Sequence, residues 1–363
     1  MIIIVSQCYP PQIGGIETLM ADLASKLKEH TALGVLTKAH PESLDYDTKQ
    51  TYLIKRFSGN KWIRRIKQRK ALKQIHADTP VTQILTDSWK SAKTILPMAQ
   101  HLNIPVNCLA HGNDVLTKNK FWRRRYIQQT LAQCTNVIAV SNATQNIIKS
   151  LNIKHSQVIH NGVDDRIYQG QVKPLNTSSP QLLTLARLEP RKGQDQVLKA
   201  IAELKKQWPN IHYHIAGSGC DLPRLQQHVH DLKLADHVTF HGRVTQAEKM
   251  ALLKRVDFFV MPVRYDASHH SIEGLGISLI EAQLMGLPVI TGQVGGVTEV
   301  VHHASTGLCC DGTSSKAVTN AIACLLDDPK QAQKLAQNGQ NHAQTYFTHT
   351  VMLKQYKQLL SLH

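Results

Sequence analysis

The chain lacks most of the features that settle a protein's class at a glance. Its seven cysteines (Cys8, Cys108, Cys134, Cys220, Cys309, Cys310, Cys324) include no C-x-x-C pair. That spacing argues against a zinc site and a disulfide framework, and for buried free thiols in a reducing compartment. No apolar run approaches the roughly 18 residues of a spanning helix. The opening Met1-Ile-Ile-Ile-Val5 has neither a basic n-region nor a cleavage site, and reads as a buried strand, so a cytoplasmic location is expected. No RNP-like, helix-turn-helix or finger pattern occurs, so nucleic acid is not an expected partner. Short-period repeats and low-complexity tracts are missing as well.

What is present is length, apolar content and positive charge. The 363 residues are 42% hydrophobic, enough for two domains with two cores. The formal charge of +16 is unevenly spread: Met1 to Gly170 holds 23 Lys and Arg against 11 Asp and Glu. Such asymmetry points to an anionic partner of the first half.

Short apolar runs alternate with helical patterns throughout. In the first half, Ile2 to Ser6, Leu33 to Thr37, Ile84 to Thr86, Val106 to Ala110 and Val137 to Val140 read as strands. A stretch without apolar period, Gln169 to Pro180, reads as a linker. The alternation then restarts, with strands at Gln181 to Ala186, Ile211 to Ala216, Val238 to His241, Phe258 to Met261 and Val289 to Thr291. The pattern predicts two doubly wound parallel sheets, with ligands at the carboxyl ends of their strands.

Those strand ends carry the chemistry. Glu273 and Glu281 bracket seven residues that include Gly274, Leu275, Gly276 and Ile277, just before a helix. Glycines permit close backbone approach to a ligand, and a helix start offers free N–H groups. Ser278 and Glu281 also stand at capping-box spacing, so Glu281 could merely cap that helix. Arg187 and Lys192 follow another strand, a guanidinium fork and an ammonium suited to a diphosphate, although a solvated basic turn reads equally well. Gly217 and Gly219 end a third strand, and Gly242, Arg243 and Val244 a fourth. In the first half, Gly14 and Gly15 precede a helix, His111 ends a strand, and Ser141 is placed to cap a helix.

Taken in order, Gly14-Gly15-Ile16-Glu17, His111-Gly112, Ser141-Asn142-Ala143, Asn161-Gly162-Val163-Asp164, Arg187 with Lys192-Gly193, Gly217-Ser218-Gly219, Gly242-Arg243-Val244 and Glu273 with Glu281 resemble a retaining glycosyltransferase of the GT-B fold, family 4. The resemblance implies an α/β protein whose two Rossmann-like doubly wound domains face a cleft. It implies an acceptor domain over 1–168, a donor domain over 169–345, and a helix over 346–363 returning to the first domain. Arg187 and Lys192 would hold the diphosphate of a UDP- or GDP-sugar and stabilise the leaving group. Glu273, with the backbone of Gly274, Leu275, Gly276 and Ile277, would bind the donor sugar. Glu281 would take the ribose, Arg243 and Val244 the base, Gly15 and Gly217 would border the donor, and His111 would contact the sugar. The family uses no cofactor or metal for chemistry, in keeping with the lack of an Asp-x-Asp motif. Asp266, His269 and His270 depart from the family pattern beside the expected sugar site.

Two segments mix aromatics with cations: Lys61 to Lys73, with Trp62, Arg64, Arg65 and Lys67, and Phe121 to Tyr126, with Trp122, Arg123 and Arg124. Basic amphipathic helices bearing Trp read as membrane-surface elements; the plain alternative is a solvated helix whose apolar stripe faces the core. The expected activity is transfer of a sugar, with retention, to a lipid-linked or cell-envelope glycan at the inner face of the cytoplasmic membrane. The alternatives are a nucleotide-sugar epimerase on the same fold and a non-catalytic basic membrane-binding protein.

Overall fold

Short apolar runs separated by half-polar helices can bury both faces only as parallel strands covered by helices on each side. The computed structural model describes residues 1–12, 14–117, 121–268 and 270–362, and it builds that architecture twice. One compact unit is Met1–Asn161 together with the segment from Thr350 onward; the other is Gly162–His349.

The first unit has seven parallel strands: β1 (Ile2–Val5), β2 (Leu33–Lys38), β3 (Leu53–Phe57), β4 (Gln83–Thr86), β5 (Val106–Ala110), β6 (Asn136–Ala139) and β7 (Ser156–Val158). Their spatial order is β3-β2-β1-β4-β5-β6-β7. The helices are α1 (Gly15–Leu27), α2 (Ser43–Thr48), α3 (Lys61–Asp78), α4 (Trp89–His101), α5 (Phe121–Leu131) and α6 (Asn142–Ser150). Strand alternation divides the core in two. Ile3 and Val5 pack with Leu72, Ile95 and Ile127 from α3, α4 and α5. Ile2 and Ile4 pack with Leu23 and Leu27 of α1 and with Met352, Tyr356 and Leu360 at the chain's end.

The second unit has six parallel strands: β8 (Gln181–Leu185), β9 (His212–Ala216), β10 (Val238–Gly242), β11 (Phe258–Met261), β12 (Val289–Thr291) and β13 (Leu308–Cys309). Their order is β10-β9-β8-β11-β12-β13. Around them lie α7 (Gln194–Leu204), α8 (Leu222–Asp231), α9 (Gln246–Arg255), α10 (Ile277–Leu284), α11 (Val297–Val300), α12 (Ser315–Asp327) and α13 (Pro329–Tyr346), before α14 (His349–Leu359). Strand order reverses between β1 and β4 in one sheet and between β8 and β11 in the other. Crevices outside the carboxyl ends of strands at such reversals are where open α/β sheets hold ligands.

Two expectations change. The stretch read as a linker is a strap on the second unit: Gly170 N–H donates to the Leu284 carbonyl at 3.2 Å, and the Gln340 amide donates to the Gly170 carbonyl at 2.8 Å. The division expected after residue 168 therefore falls after Asn161, because Val163 N–H donates to the Phe347 carbonyl at 2.8 Å and His349 N–H to the Val163 carbonyl at 2.9 Å. The cysteines are free, but only Cys108, Cys134, Cys309 and Cys310 are buried; Cys220 and Cys324 are exposed. Among the described residues, no helix is long and apolar enough to cross a membrane.

Candidate active site

In the second unit, the chain leaves β8 and makes a 3-10 turn, Pro190–Lys192, that ends on Gly193 at φ 76°. A Cβ there would meet the Pro262 carbonyl oxygen, so glycine is required twice over, by conformation and by space. The turn drives Arg191 and Lys192 inward, to 5% and 7% exposure. Both meet one atom: Glu273 Oε2 accepts from Arg191 Nη1, and from Lys192 Nζ at 2.6 Å. Glu189 joins the group, taking Arg191 Nε at 2.9 Å and Arg187 Nη1 at 2.8 Å. Arg187 itself stays 70% exposed on the rim.

The buried Arg191 and Lys192 are balanced by Glu189 and Glu273, and the third cation, Arg187, adds a surplus charge of +1 at the exposed rim. Buried ion pairs lose much of their hydration, and one removed partner leaves the others costly. The titration behaviour follows. Burial raises the Glu273 pKa, but Lys192 and Arg191 outweigh it and hold the carboxyl below its ordinary range. Burial lowers the Lys192 pKa, and Glu273 offsets this only in part. Two cations with little hydration that share one carboxylate oxygen are poised to accept an anion of higher charge in its place.

Glu273 leads through Gly274 and buried Leu275 into α10, whose N-cap is Gly276 at φ 92°. No side chain caps this helix, so the expected Ser278–Glu281 capping box is absent. The glycine cap leaves Ile277 and the first-turn N–H groups to a ligand or water. Glu281 instead lies in its own cage: Tyr168 Oη donates to its Oε1 at 2.6 Å, and so does Lys249 Nζ at 2.6 Å. The neighbouring strand ends complete this edge of the sheet. Gly217 N–H donates to the Gly242 carbonyl at 2.7 Å, Arg243 Nε donates to Ser218 Oγ at 3.1 Å, and Val244 packs against the core under α10. Tyr265 and His270 touch through Oη and Nδ1 at 2.9 Å, while His269 lies outside the described residues.

In the first unit, Asp87 at the end of β4 pins the end of β1. Its Oδ2 accepts from Ser6 Oγ and Gln7 N–H, each at 2.8 Å, and from Cys8 N–H at 3.1 Å. His111 Nε2 lies 2.9 Å from the Asp87 carbonyl, so that nitrogen carries the proton and Nδ1 is the other face of the ring. His111 N–H donates to Asp114 Oδ1 at 2.8 Å. Burial pushes the Asp114 pKa up against the opposing pull of His111. Gly15 opens α1, and Ser141 caps α6 by accepting from Thr144 N–H at 3.0 Å.

The aromatic and basic segments are exposed helix. Asn60 caps α3, accepting from Trp62 and Ile63 N–H at 3.0 Å. The core side of α3 is Gln68, Leu72 and Ile75, whereas Trp62 is 71% exposed and Ile63 and Ile66 are exposed too. The apolar stripe expected to face the core is thus half outside. On α5, Phe121, Trp122 and Tyr126 are likewise exposed. Cations cover these rings: Arg65 stands 5.4 Å from the Trp62 ring and Lys93 4.0 Å from that of Tyr126. Burial lowers the pKa of Lys93, and the positive charges of Arg65 and Lys61 lower it further. Arg64 donates to the Gly59 carbonyl, Arg123 to the Asp114 carbonyl and Arg124 to the Ser150 carbonyl, while Lys67 is exposed. Neither α4 nor α5 carries a carboxylate.

The sequence singles out Lys192, Glu273 and Glu281 as candidates, but not Arg191, Tyr168 and Lys249, which contact the two glutamates, nor Asp87, which pins the end of β1. Among the described residues, no three His, Cys, Asp or Glu are grouped to hold a metal ion.

The sequence matches known sugar-transfer proteins. The model of the group 1 glycosyl transferases matches residues 165–342, and that of glycosyltransferase family 4 matches residues 13–166. Together they account for nearly the whole chain, which belongs to these glycosyltransferases. A GDP-mannose-dependent alpha-(1-6)-phosphatidylinositol monomannoside mannosyltransferase of Mycolicibacterium smegmatis is 38% identical over 45% of this chain and 43% of its own length. The match thus spans less than half of that relative. A GDP-mannose-dependent monoacylated alpha-(1-6)-phosphatidylinositol monomannoside mannosyltransferase of Corynebacterium glutamicum is 25% identical over 96% of this chain and 95% of its own. The crystal structure of Anabaena HepE in complex with UDP has a TM-score of 0.85 at 20% identity, covering 99% of both chains. Sucrose-phosphate synthase from Thermosynechococcus elongatus gives 0.84 at 22%, again over 99% of both. Likeness at that identity establishes the fold, two Rossmann-like α/β units of the GT-B class.

Proposed function

We propose that this protein transfers a hexose from a nucleotide-diphosphate sugar to a lipid-linked acceptor at an anionic membrane surface, with retention and without a metal ion. The observation that carries the reading is the convergence of Arg191 and Lys192 on Glu273 Oε2. A donor diphosphate brings more negative charge than the single carboxylate and draws the two cations to itself, with Arg187 at the rim. Glu273 is then released to accept hydrogen bonds from sugar hydroxyls. As the glycosidic C–O bond breaks, charge grows on the departing phosphate oxygen, where the cations stabilise it most; each such donor contributes roughly 10²–10³ in rate. The α10 N-terminus adds N–H groups beside it. Glu281 is assigned to the ribose hydroxyls, Arg243 and Val244 to the base, and His111 to the sugar.

GDP-mannose is the leading donor, since relatives similar to this chain are named for it, although HepE was crystallised with UDP. The exposed Trp62, Ile63, Phe121 and Trp122 among uncompensated cations support a lipid surface as the place of work.

A panel of GDP- and UDP-sugars tests the donor by thermal stabilisation, because a ligand at about 100 times its Kd adds roughly 2.7 kcal/mol. Turnover with the stabilising donor is then followed with and without EDTA, and the anomeric configuration of the product is read by NMR. No stabilisation by any nucleotide sugar, an inverted product, or loss of activity in EDTA would each refute the corresponding part. An epimerised sugar formed from donor alone would replace the transferase reading by an epimerase. Vesicle sedimentation tests the surface: binding to anionic vesicles that weakens with salt is expected, and equal indifference to anionic and neutral vesicles would remove it.

A further inference from the structure

The cage around Glu281 is more specific than holding a helix in place requires. Three separate elements build it. Tyr168 comes from the segment just before the strap, Lys249 and Gln246 from the first turn of α9, and Glu281 from α10. Tyr168 and Lys249 both donate to Oε1, at 2.6 Å each, and among the described residues no donor reaches Oε2. The Gln246 amide donates to the Tyr168 hydroxyl at 3.1 Å, which turns that hydroxyl's own proton toward Glu281. Gln246 and Lys249 stand three apart on one face of α9, and the Thr245–Glu248 capping box fixes the start of that helix. Lys249 Nζ also lies 5.2 Å from the Tyr168 ring.

A carboxylate has about four lone-pair directions, two on each oxygen. Here one oxygen is committed to protein donors, so Oε2 is the oxygen left for two further donors. A vicinal diol supplies two such donors side by side. We infer that Tyr168 and Lys249 are positioning residues that lock the Glu281 carboxylate so that Oε2 faces the 2′- and 3′-hydroxyls of the donor ribose. The clamp rests on the reading of Glu281 as the ribose ligand. Because α9 begins directly after Arg243 and Val244, the same rigid turn holds the segment assigned to the base. Sugar and base of the nucleoside are then registered by one helix.

The experiment compares a ribonucleotide with its 2′,3′-dideoxy counterpart by calorimetry. GDP and UDP are titrated first, and the tighter one is taken forward. Unsubstituted protein is expected to prefer the ribonucleotide. Tyr168→Phe and Lys249→Met are each expected to weaken ribonucleotide binding roughly tenfold and to leave dideoxynucleotide binding unchanged, while Lys249→Arg restores most of the loss. A merely structural tie between α9 and α10 would weaken both nucleotides alike, and that result overturns the clamp. Full ribose preference in both variants overturns it as well. If the unsubstituted protein binds neither nucleotide, or binds the ribo and dideoxy forms equally, the ribose assignment of Glu281 falls and takes the clamp with it.

Discussion

The two units treat positive charge in opposite ways. On α3, α4 and α5, cations crowd one another with no carboxylate between them, and aromatic rings stand exposed among them. Around Lys192, each cation touches a carboxylate, and Arg191 and Lys192 are buried while Arg187 stands at the exposed rim. An exposed, uncompensated face has its energy lowered by an arriving anionic surface, and loses that attraction as salt screens it. A buried, compensated cluster is different: it gains only from a ligand that replaces the carboxylate atom for atom. The first arrangement suits capture of something large and imprecise, the second the recognition of one diphosphate.

The largest effect should come from breaking the buried side. Lys192→Ala is expected to lower kcat by roughly 10²–10³, measured with saturating donor. Glu273→Gln should cost a similar factor and also stability, about 3–5 kcal/mol where a partner of a buried pair is lost, read by denaturant unfolding. Arg187→Ala sharpens the contrast. That side chain is 70% exposed, so a change within about tenfold is expected, chiefly in KM. An Arg187 effect as large as that of Lys192 would show that the rim and the interior act as one.

The exposed side should respond oppositely. Replacing Trp62 and Trp122 with Ser and reversing Arg65 and Lys93 to Glu is expected to abolish binding to anionic vesicles, at about 1 kcal/mol per cation lost near the surface. The melting temperature should move by no more than about 2 °C, because these side chains leave the core untouched. A large drop in Tm with vesicle binding intact would mean that the face is structural after all.

How legible the molecule was in its sequence follows from where burial lies. Strands buried on both faces, such as Phe258–Met261 and Val289–Thr291, read as continuous apolar runs and were placed to the residue. Strand β3, Leu-Ile-Lys-Arg-Phe at a sheet edge, has no buried residue and was invisible. Lys192 and Glu273 could be named because their spacing is local to known turns. Arg191 was not, because sequence cannot say which of three nearby cations a left-handed Gly193 turns inward. Tyr168 and Lys249 reach Glu281 from 113 and 32 residues away, and no local pattern announces such a meeting. The Ser278–Glu281 spacing pointed to a cap that Gly276 displaced.

A third response to positive charge, and the smallest expected effect, is to refuse it. His214 on β9 lies between His212 and His241, with Gln181 on its other side. The Gln181 Oε1 accepts from His214 Nε2 at 3.1 Å, so His214 Nδ1 must accept from His241 Nε2–H at 3.0 Å, and the ring is neutral. Burial first, then the neighbouring His212 and His241 and the Arg255 charge, push its pKa down to about 4. Its folded pKa thus lies below the ordinary histidine value. The associated stability is fully present above about pH 6.5 and is lost as pH falls toward 4, because only the unfolded chain takes up the proton. Between those limits the melting temperature of the native protein should fall more steeply than that of His214→Gln, by roughly 2–4 °C across the interval. Parallel slopes would show that some other group carries the acid sensitivity, and that this histidine cluster does not stand apart from the paired cations around Lys192.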